Sequence, residues 1–141
     1  MKKLYRHLIA EIEWLDSIIG LVGVCVILAA AIFMQFFYGE APCPLCLLQR
    51  AAFVGVGIAM LMNVRFGNKA SHWALAIICA CTGITVSIRQ MLLHITTVQG
   101  FGSAILGMHM YTWCFIGFSA VIVGSAFMLL LYPEKKDSTI N

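Results

Sequence analysis

Charged side chains are scarce in this sequence, and their scarcity excludes a soluble globular domain. Only 11% of the 141 residues are charged, whereas 62% are hydrophobic, and the mean hydropathy is +0.95. Internal repeats and low-complexity segments are absent as well. A soluble domain of this length cannot bury so much apolar surface, so the composition predicts a protein that crosses a membrane several times.

Four runs of about 20 apolar residues predict the transmembrane segments. They cover residues 18–37, 45–64, 73–93 and 110–132. The first run is too long for a signal peptide and no small-residue cleavage site follows it, so we expect it to stay in the membrane. Backbone groups in lipid must find their hydrogen-bond partners within the segment, and the runs are therefore helices. We predict an all-α membrane protein, a bundle of four transmembrane helices.

Lys and Arg are absent from two of the connections between these runs, residues 38–42 and 94–109. The basic residues outside the apolar runs all fall on the opposite side of the membrane: Lys2, Lys3, Arg6, Arg65, Lys69, Lys135 and Lys136. By the positive-inside rule both termini lie in the cytoplasm, an N-in/C-in topology. The net charge of +3 reflects this asymmetry and gives no reason to expect a nucleic acid as partner.

The ends of the chain are more polar than its middle. Residues 1–16 mix charges with apolar side chains, the pattern of a short amphipathic helix that lies on the inner membrane surface and contacts lipid. Residues 133–141 predict a cytoplasmic tail. We therefore predict three parts: an interfacial segment 1–16, a transmembrane domain 17–132 and a tail 133–141.

The chemistry of the chain is concentrated where the second apolar run begins. Cys43, Cys46 and Arg50 are spaced i, i+3 and i+7, so they share one stripe of a helix, and Pro42 suits a helix start. The positive end of the helix dipole favours the reactive thiolate form of a cysteine. The guanidinium would stabilise the negative charge that develops on the oxygen of a quinone-like electron acceptor. The predicted topology places the pair outside the cytoplasm, where disulfides persist.

A Cys-x-x-Cys pair has other interpretations. It can be a structural disulfide that staples the first turn of the helix, or half of a zinc site. Zinc requires four ligands, and the histidines on the same side, His94 and His109, are not paired in that way. We favour a redox-active dithiol and predict no metal. His94 and His109 are candidates for proton transfer or for headgroup contact, and a b-type haem protein that uses them is a further alternative.

A second arginine also lies within an apolar run on this side. At the rise of an α-helix, Arg50 is roughly 10 Å and Arg89 roughly 6 Å inside the membrane. A charge at that depth costs at least about 2.5 kcal/mol, so both arginines are candidate functional residues, with contact to lipid headgroups as the alternative. Cys114 lies near the level of Arg50 and is either a third redox thiol or, as we favour, a packing residue. We expect Cys25, Cys79 and Cys81 to be small buried residues.

Two sequence blocks resemble a known family. Cys-Pro-Leu-Cys-Leu-Leu-Gln-Arg at 43–50 and Met-His-Met-Tyr-Thr-Trp at 108–113 are similar to blocks of the disulfide bond formation protein B (DsbB) family of bacterial inner-membrane quinone reductases. The resemblance spans about residues 15–132. It implies that Cys43 exchanges with incoming thiols and Cys46 passes electrons to ubiquinone or menaquinone. Arg50 would bind the quinone oxygen, and Arg89 and Trp113 are further candidates for contact with the quinone.

One feature of that family is missing. Well-known members carry a second cysteine pair in the second outer loop, which accepts electrons from a thioredoxin-like thiol oxidase (DsbA). Here no cysteine lies between Cys81 and Cys114. The sequence therefore predicts a quinone-dependent thiol oxidoreductase whose partner is a periplasmic DsbA-like oxidase or another dithiol protein. The alternatives are a structural or binding membrane protein with a stapling disulfide, and the haem protein.

Overall fold

The fold is a bundle of four long helices. The computed structural model describes residues 2–39, 43–95, 104–105 and 107–131. In chain order these residues form α1 (Lys2–Tyr38), α2 (Pro44–Phe66), α3 (Ala70–His94), β1 (Ala104–Ile105), β2 (Met108–His109) and α4 (Met110–Leu131). Each helix is long and apolar enough to cross a membrane. The predicted four-helix membrane fold is confirmed, while the N-in/C-in orientation stays a prediction.

The first helix is longer than the sequence predicted. Residues 2–38 form one uninterrupted helix, so no helix end separates the predicted interfacial segment 1–16 from the first span. No Pro or Gly occurs before Gly20, and nothing in the local sequence stops the helix at residue 16. That residues 1–16 lie on the membrane surface stays a prediction. The predicted tail 133–141 lies outside the described residues.

Glycine and proline set the ends of α2. Pro44 occupies the first helical position and Cys43 is the N-cap, whereas Pro42, which we expected at the helix start, lies outside the described residues. Proline fits this position because the amide proton it lacks would have no partner within the helix. The helix ends at Gly67, whose φ of +80° is accessible to glycine at little cost. The short connection that follows makes α3 antiparallel to α2.

Helix α3 lies at the centre of the bundle. It packs against α2 on one side and α4 on the other, and α1 packs mainly against α2. In the core, Phe53 of α2 stacks on Phe118 of α4 with ring centroids 3.9 Å apart. Gly83 of α3 lies against that ring, where a Cβ atom would overlap it. Small residues of this kind let membrane helices approach closely.

Two of the cysteines away from the motif are not buried. Cys25 and Cys81 are exposed on the outer surface of the bundle, so the expectation that they are buried was wrong. Cys79 and Cys114 are partly buried and pack against the core. A thiol behaves as a small apolar group, and a surface that faces lipid accepts it as readily as the core does.

Candidate active site

The predicted cysteine pair forms a disulfide at the start of α2. Cys43 and Cys46 are bonded, with their Cα atoms 5.1 Å apart. Cys43 precedes the helix, and its Sγ accepts a hydrogen bond of 3.1 Å from the backbone N–H of Cys46. Cys46 lies in the first helical turn, where the N–H groups and the dipole favour negative charge. The position therefore suits a cysteine that leaves as a thiolate.

A glutamine from the neighbouring helix contacts both sulfurs. The Nε2 of Gln90 on α3 lies 3.7 Å from Cys43 Sγ and 3.6 Å from Cys46 Sγ, distances at which an amide donates to sulfur. The side chain is 3% exposed. Its Oε1 is buried and accepts no hydrogen bond from the part of the chain that the structure describes. Gln90 was not among the site residues that the sequence predicted.

Arg50 lies one helical turn from Cys46, and its side chain is hydrogen-bonded to α1. Its Nη1 donates to Gln35 Oε1 at 2.7 Å and its Nη2 donates to the carbonyl oxygen of Ala31 at 3.1 Å. These bonds use two of the five N–H groups of a guanidinium. They hold a partly buried charge between the first two helices, beside the turn that carries Cys46.

The other predicted ligands of the quinone are more exposed than Arg50. Arg89 is exposed, although it is adjacent in sequence to the buried Gln90. No hydrogen bond or ion pair joins it to the disulfide within the described ranges. Trp113 lies in the first turn of α4 and is 38% exposed. A role for Arg89 and Trp113 in cofactor binding stays a prediction.

A second buried amide ties α2 to α3 below the disulfide. Gln49 Nε2 donates to Ser87 Oγ at 2.9 Å, and that hydroxyl donates to the carbonyl oxygen of Gly83 at 2.9 Å. These polar side chains were not predicted as site residues from the sequence, and neither were Gln35 and Gln90. Their signal was present, because uncharged amides within apolar spans are costly and the three glutamines of the spans, Gln35, Gln49 and Gln90, all lie toward the end that holds the cysteines.

The two histidines predicted on this side contact one tyrosine. The His94 ring stacks on Tyr111 with centroids 5.7 Å apart, and the His109 ring stacks on Tyr111 at 5.3 Å. The Nδ1 of His94 lies 2.7 Å from the carbonyl oxygen of Gln90, so it carries the proton and donates. These contacts join the end of α3, strand β2 and the start of α4. They engage both rings in the packing of this end of the bundle.

Comparison with known proteins identifies the family of this fold and site. The family model described as Disulfide bond formation protein DsbB matches residues 15–103, which include the cysteine pair, Arg50 and Gln90. The chain belongs to the DsbB family. The resemblance noted in the sequence is thereby confirmed, although the block at 108–113 lies beyond the matched residues.

Relatives in three bacteria support this membership. The chain is 41% identical over 70 residues to the disulfide bond formation protein B of Cupriavidus necator, which covers 49% of this chain and 40% of the relative. It is 37% identical over 88 residues to that of Marinobacter nauticus (58% and 51%) and 31% identical over 81 residues to that of Stutzerimonas stutzeri (55% and 50%). The matches thus span about half of each relative or less. No solved structure matches the chain.

Family and fold together give the location. The relatives are bacterial, and the chain has four helices long and apolar enough to cross a bilayer. The protein is a multi-pass protein of the bacterial inner membrane, as the sequence predicted.

Proposed function

We propose that this protein is a membrane thiol oxidoreductase that forms disulfide bonds in partner proteins and passes the electrons to a quinone. The observation that carries the proposal is the Cys43–Cys46 disulfide at the start of α2, with the Gln90 amide on both sulfurs and Arg50 one turn away. The name shared by the bacterial relatives, disulfide bond formation protein B, supports it. A structural staple needs neither a buried donor on its sulfurs nor a cation beside it.

The first half of the reaction is thiol–disulfide exchange. A thiolate of the partner attacks Cys43 Sγ, a bond forms between the two proteins, and the Cys43–Cys46 bond breaks with its electron pair on Cys46. The second partner thiol loses its proton and attacks the mixed disulfide, which releases Cys43 as a thiolate. The partner has then lost two electrons and two protons, and the cysteine pair has gained the electrons. The first turn of α2 stabilises the charge on Cys46.

The second half returns the pair to the disulfide. A bound ubiquinone or menaquinone would accept two electrons and two protons. The donors at this end fit a quinone carbonyl, because Arg50 keeps N–H groups beyond the two that bond to α1. Arg50 would hold the quinone oxygen, lower the energy of negative charge on it, and keep it near Cys46 Sγ. Trp113 and Arg89 stay candidates for further contacts to the ring, and from the exposed position of Arg89 we expect its contact to contribute much less than that of Arg50.

The partner is expected to react with the first cysteine pair directly. No cysteine lies between Cys81 and Cys114, so this chain does not supply a second dithiol from the loop that precedes α4. In the predicted orientation the disulfide lies on the periplasmic side. The partner is then a periplasmic thioredoxin-like thiol oxidase, DsbA-like, or another dithiol protein.

Turnover by the purified protein tests the proposal. We expect the wild type in detergent to reduce a short-chain ubiquinone with dithiothreitol as the electron donor, which is measured as a loss of quinone absorbance. Cys46→Ser should abolish this reaction. Cys114→Ser is the matched control and should retain turnover. Undiminished turnover by Cys46→Ser would refute the assignment. The stapling alternative predicts a reduction potential below about −300 mV for the pair, and the haem alternative predicts a Soret band.

Trapping identifies the partner. With Cys46 replaced by Ala, this protein has no thiol beside Cys43 that can resolve a mixed disulfide, and acid quenching of the cells protonates the partner's second thiol and so stops it from attacking. We expect a covalent complex on non-reducing gels of cells that express Cys46→Ala, and mass spectrometry of that complex names the partner. A Cys43→Ala, Cys46→Ala double variant is the control that should trap nothing.

A further inference from the structure

We infer that Gln90 is a catalytic residue that binds the reacting sulfurs and stabilises the Cys46 thiolate when the disulfide opens. The inference rests on the proposed function, since it assigns a role within the same exchange reaction. The observation behind it is the amide of Gln90, which comes from a different helix and lies within hydrogen-bond distance of both sulfurs.

The orientation of this amide follows from the chemistry of its neighbours. The sulfurs of a disulfide carry lone pairs and no proton, so they accept hydrogen bonds and donate none. The NH₂ group of Gln90 must therefore face them for any bond to form. Neutral sulfur is a weak acceptor, and burial of an amide against it is poorly compensated. A thiolate is a far better acceptor, because its bond is assisted by charge.

Because a thiolate accepts hydrogen bonds better than a disulfide does, the contact of Gln90 with the sulfurs favours the reduced pair. The hydrogen bonds from Gln90 are weak while the Cys43–Cys46 bond is intact and strengthen as negative charge appears on Cys46. Interactions that are stronger in the transition state than in the ground state accelerate a reaction. They also favour the reduced pair over the disulfide at equilibrium, which makes the pair a stronger oxidant.

The other end of the amide supports the same assignment. Gln90 Oε1 is buried and accepts no hydrogen bond within the described residues, and an unsatisfied acceptor of this kind is costly. The oxidised pair has no proton to offer it. After reduction, a thiol S–H on Cys43 can donate to this oxygen while the NH₂ group donates to the Cys46 thiolate. The amide therefore matches the reduced pair better than the disulfide.

Gln49 provides a matched control for this contact. It is also a glutamine in the interface between α2 and α3, and it is 4% exposed where Gln90 is 3% exposed. Its amide donates to Ser87 Oγ and not to sulfur. Replacing Gln49 removes a buried amide from the same interface and leaves the sulfur contacts in place.

The test measures the cysteine pair without quinone. Wild type, Gln90→Leu, Gln90→Met and Gln49→Leu are equilibrated in glutathione buffers, and differential alkylation with mass spectrometry of the peptide that contains Cys43 and Cys46 gives the oxidised fraction. We expect both Gln90 variants to favour the disulfide about tenfold more than the wild type, equivalent to about 30 mV. Alkylation of Cys46 in the reduced protein at pH 7 should slow by a similar factor. Gln49→Leu should match the wild type within about twofold.

The outcomes separate this inference from the proposed function. If both Gln90 variants have the same oxidised fraction in glutathione buffers and the same rate of Cys46 alkylation as the wild type, the inference is overturned and the dithiol chemistry stays intact. Equal shifts in Gln49→Leu and Gln90→Leu would also overturn it, because helix packing would then be the cause. A wild-type pair that stays oxidised in every glutathione buffer would instead sink the proposed function. Methionine is unbranched and adapts to irregular cavities, so Gln90→Met keeps the test valid if the leucine variant does not fold.

Discussion

The two ends of the α2–α3 pair both bury polar side chains, yet they use them differently. At the disulfide end, Gln49 and Gln90 reach partners 38 to 47 residues away along the chain. At the turn end, where α2 leads into α3, the Nδ1 of His72 bonds to Asn63 Oδ1 at 2.9 Å, and Trp73 Nε1 donates to Asn68 Oδ1. Those partners are only nine and five residues apart.

The difference shows that a buried amide in a membrane helix can have either of two roles. Short-range bonds at the turn end satisfy groups where the chain reverses, and they fix the local turn. Long-range bonds at the disulfide end hold separate helices in one register, and they bring a donor to reactive sulfurs. Both ends leave amide atoms without a hydrogen-bond partner in the described part of the chain, Asn63 Nδ2 and Gln90 Oε1 among them. An unsatisfied group is therefore informative only beside a group that can react.

Among substitutions outside the cysteine pair, replacement of Arg50 should lower quinone reduction the most. If it did not, the disulfide end would not differ from the turn end in its role in the reaction. Arg50→Met removes the cation beside Cys46 together with its two bonds to α1. We expect kcat/KM for the quinone to fall about 100-fold or more, the usual loss for a donor to developing negative charge. Exchange of the cysteine pair with dithiothreitol, measured without quinone, should change far less. An equal loss in both half-reactions would mean that the arginine acts through the fold.

Replacement of Gly83 tests how much the helix packing between the two ends contributes to the free energy of unfolding. In Gly83→Ala the added methyl overlaps the ring of Phe118, which stacks on Phe53. Overpacking of this kind should lower the free energy of unfolding by about 2–3 kcal/mol. Thermal denaturation in detergent measures the change. Gly124→Ala is the control, since a Cβ there meets nothing within 4 Å, and a similar loss in both variants would contradict the packing argument.

The turn end offers a smaller effect of a different kind. Asn63→Leu leaves the buried His72 without its partner, and we expect a loss of roughly 1–3 kcal/mol in the free energy of unfolding. Quinone reduction at a temperature where the variant is folded should stay within about twofold of wild type. A large loss of activity there would show that the turn end takes part in the reaction, and the contrast between the two ends would fail.

The sequence predicted the fold better than the site. Apolar runs identified all four helices because the length of a bilayer and the scarcity of charge leave few alternatives. The cysteine spacing predicted the disulfide, since both residues lie in one turn. Gln90 and Gln35 could not be assigned to the site from spacing, because their contacts depend on how neighbouring helices are rotated and aligned. The directions of Arg50 and Arg89 depended on the same rotation.

The smallest effect is expected from Arg89, which sequence reasoning placed beside the quinone by depth alone. Depth fixes the level of a side chain in the membrane, and the face of the helix decides what it contacts. Successive residues of a helix are rotated by about 100°, so the burial of Gln90 against the disulfide turns Arg89 outward. An exposed arginine near a helix end extends its charge toward lipid headgroups. Arg89→Gln should therefore change kcat/KM for the quinone less than about twofold, whereas Arg50→Gln in the same assay should approach the loss of Arg50→Met. Comparable losses in the two glutamine variants would show instead that Arg89 binds the quinone as strongly as Arg50 does.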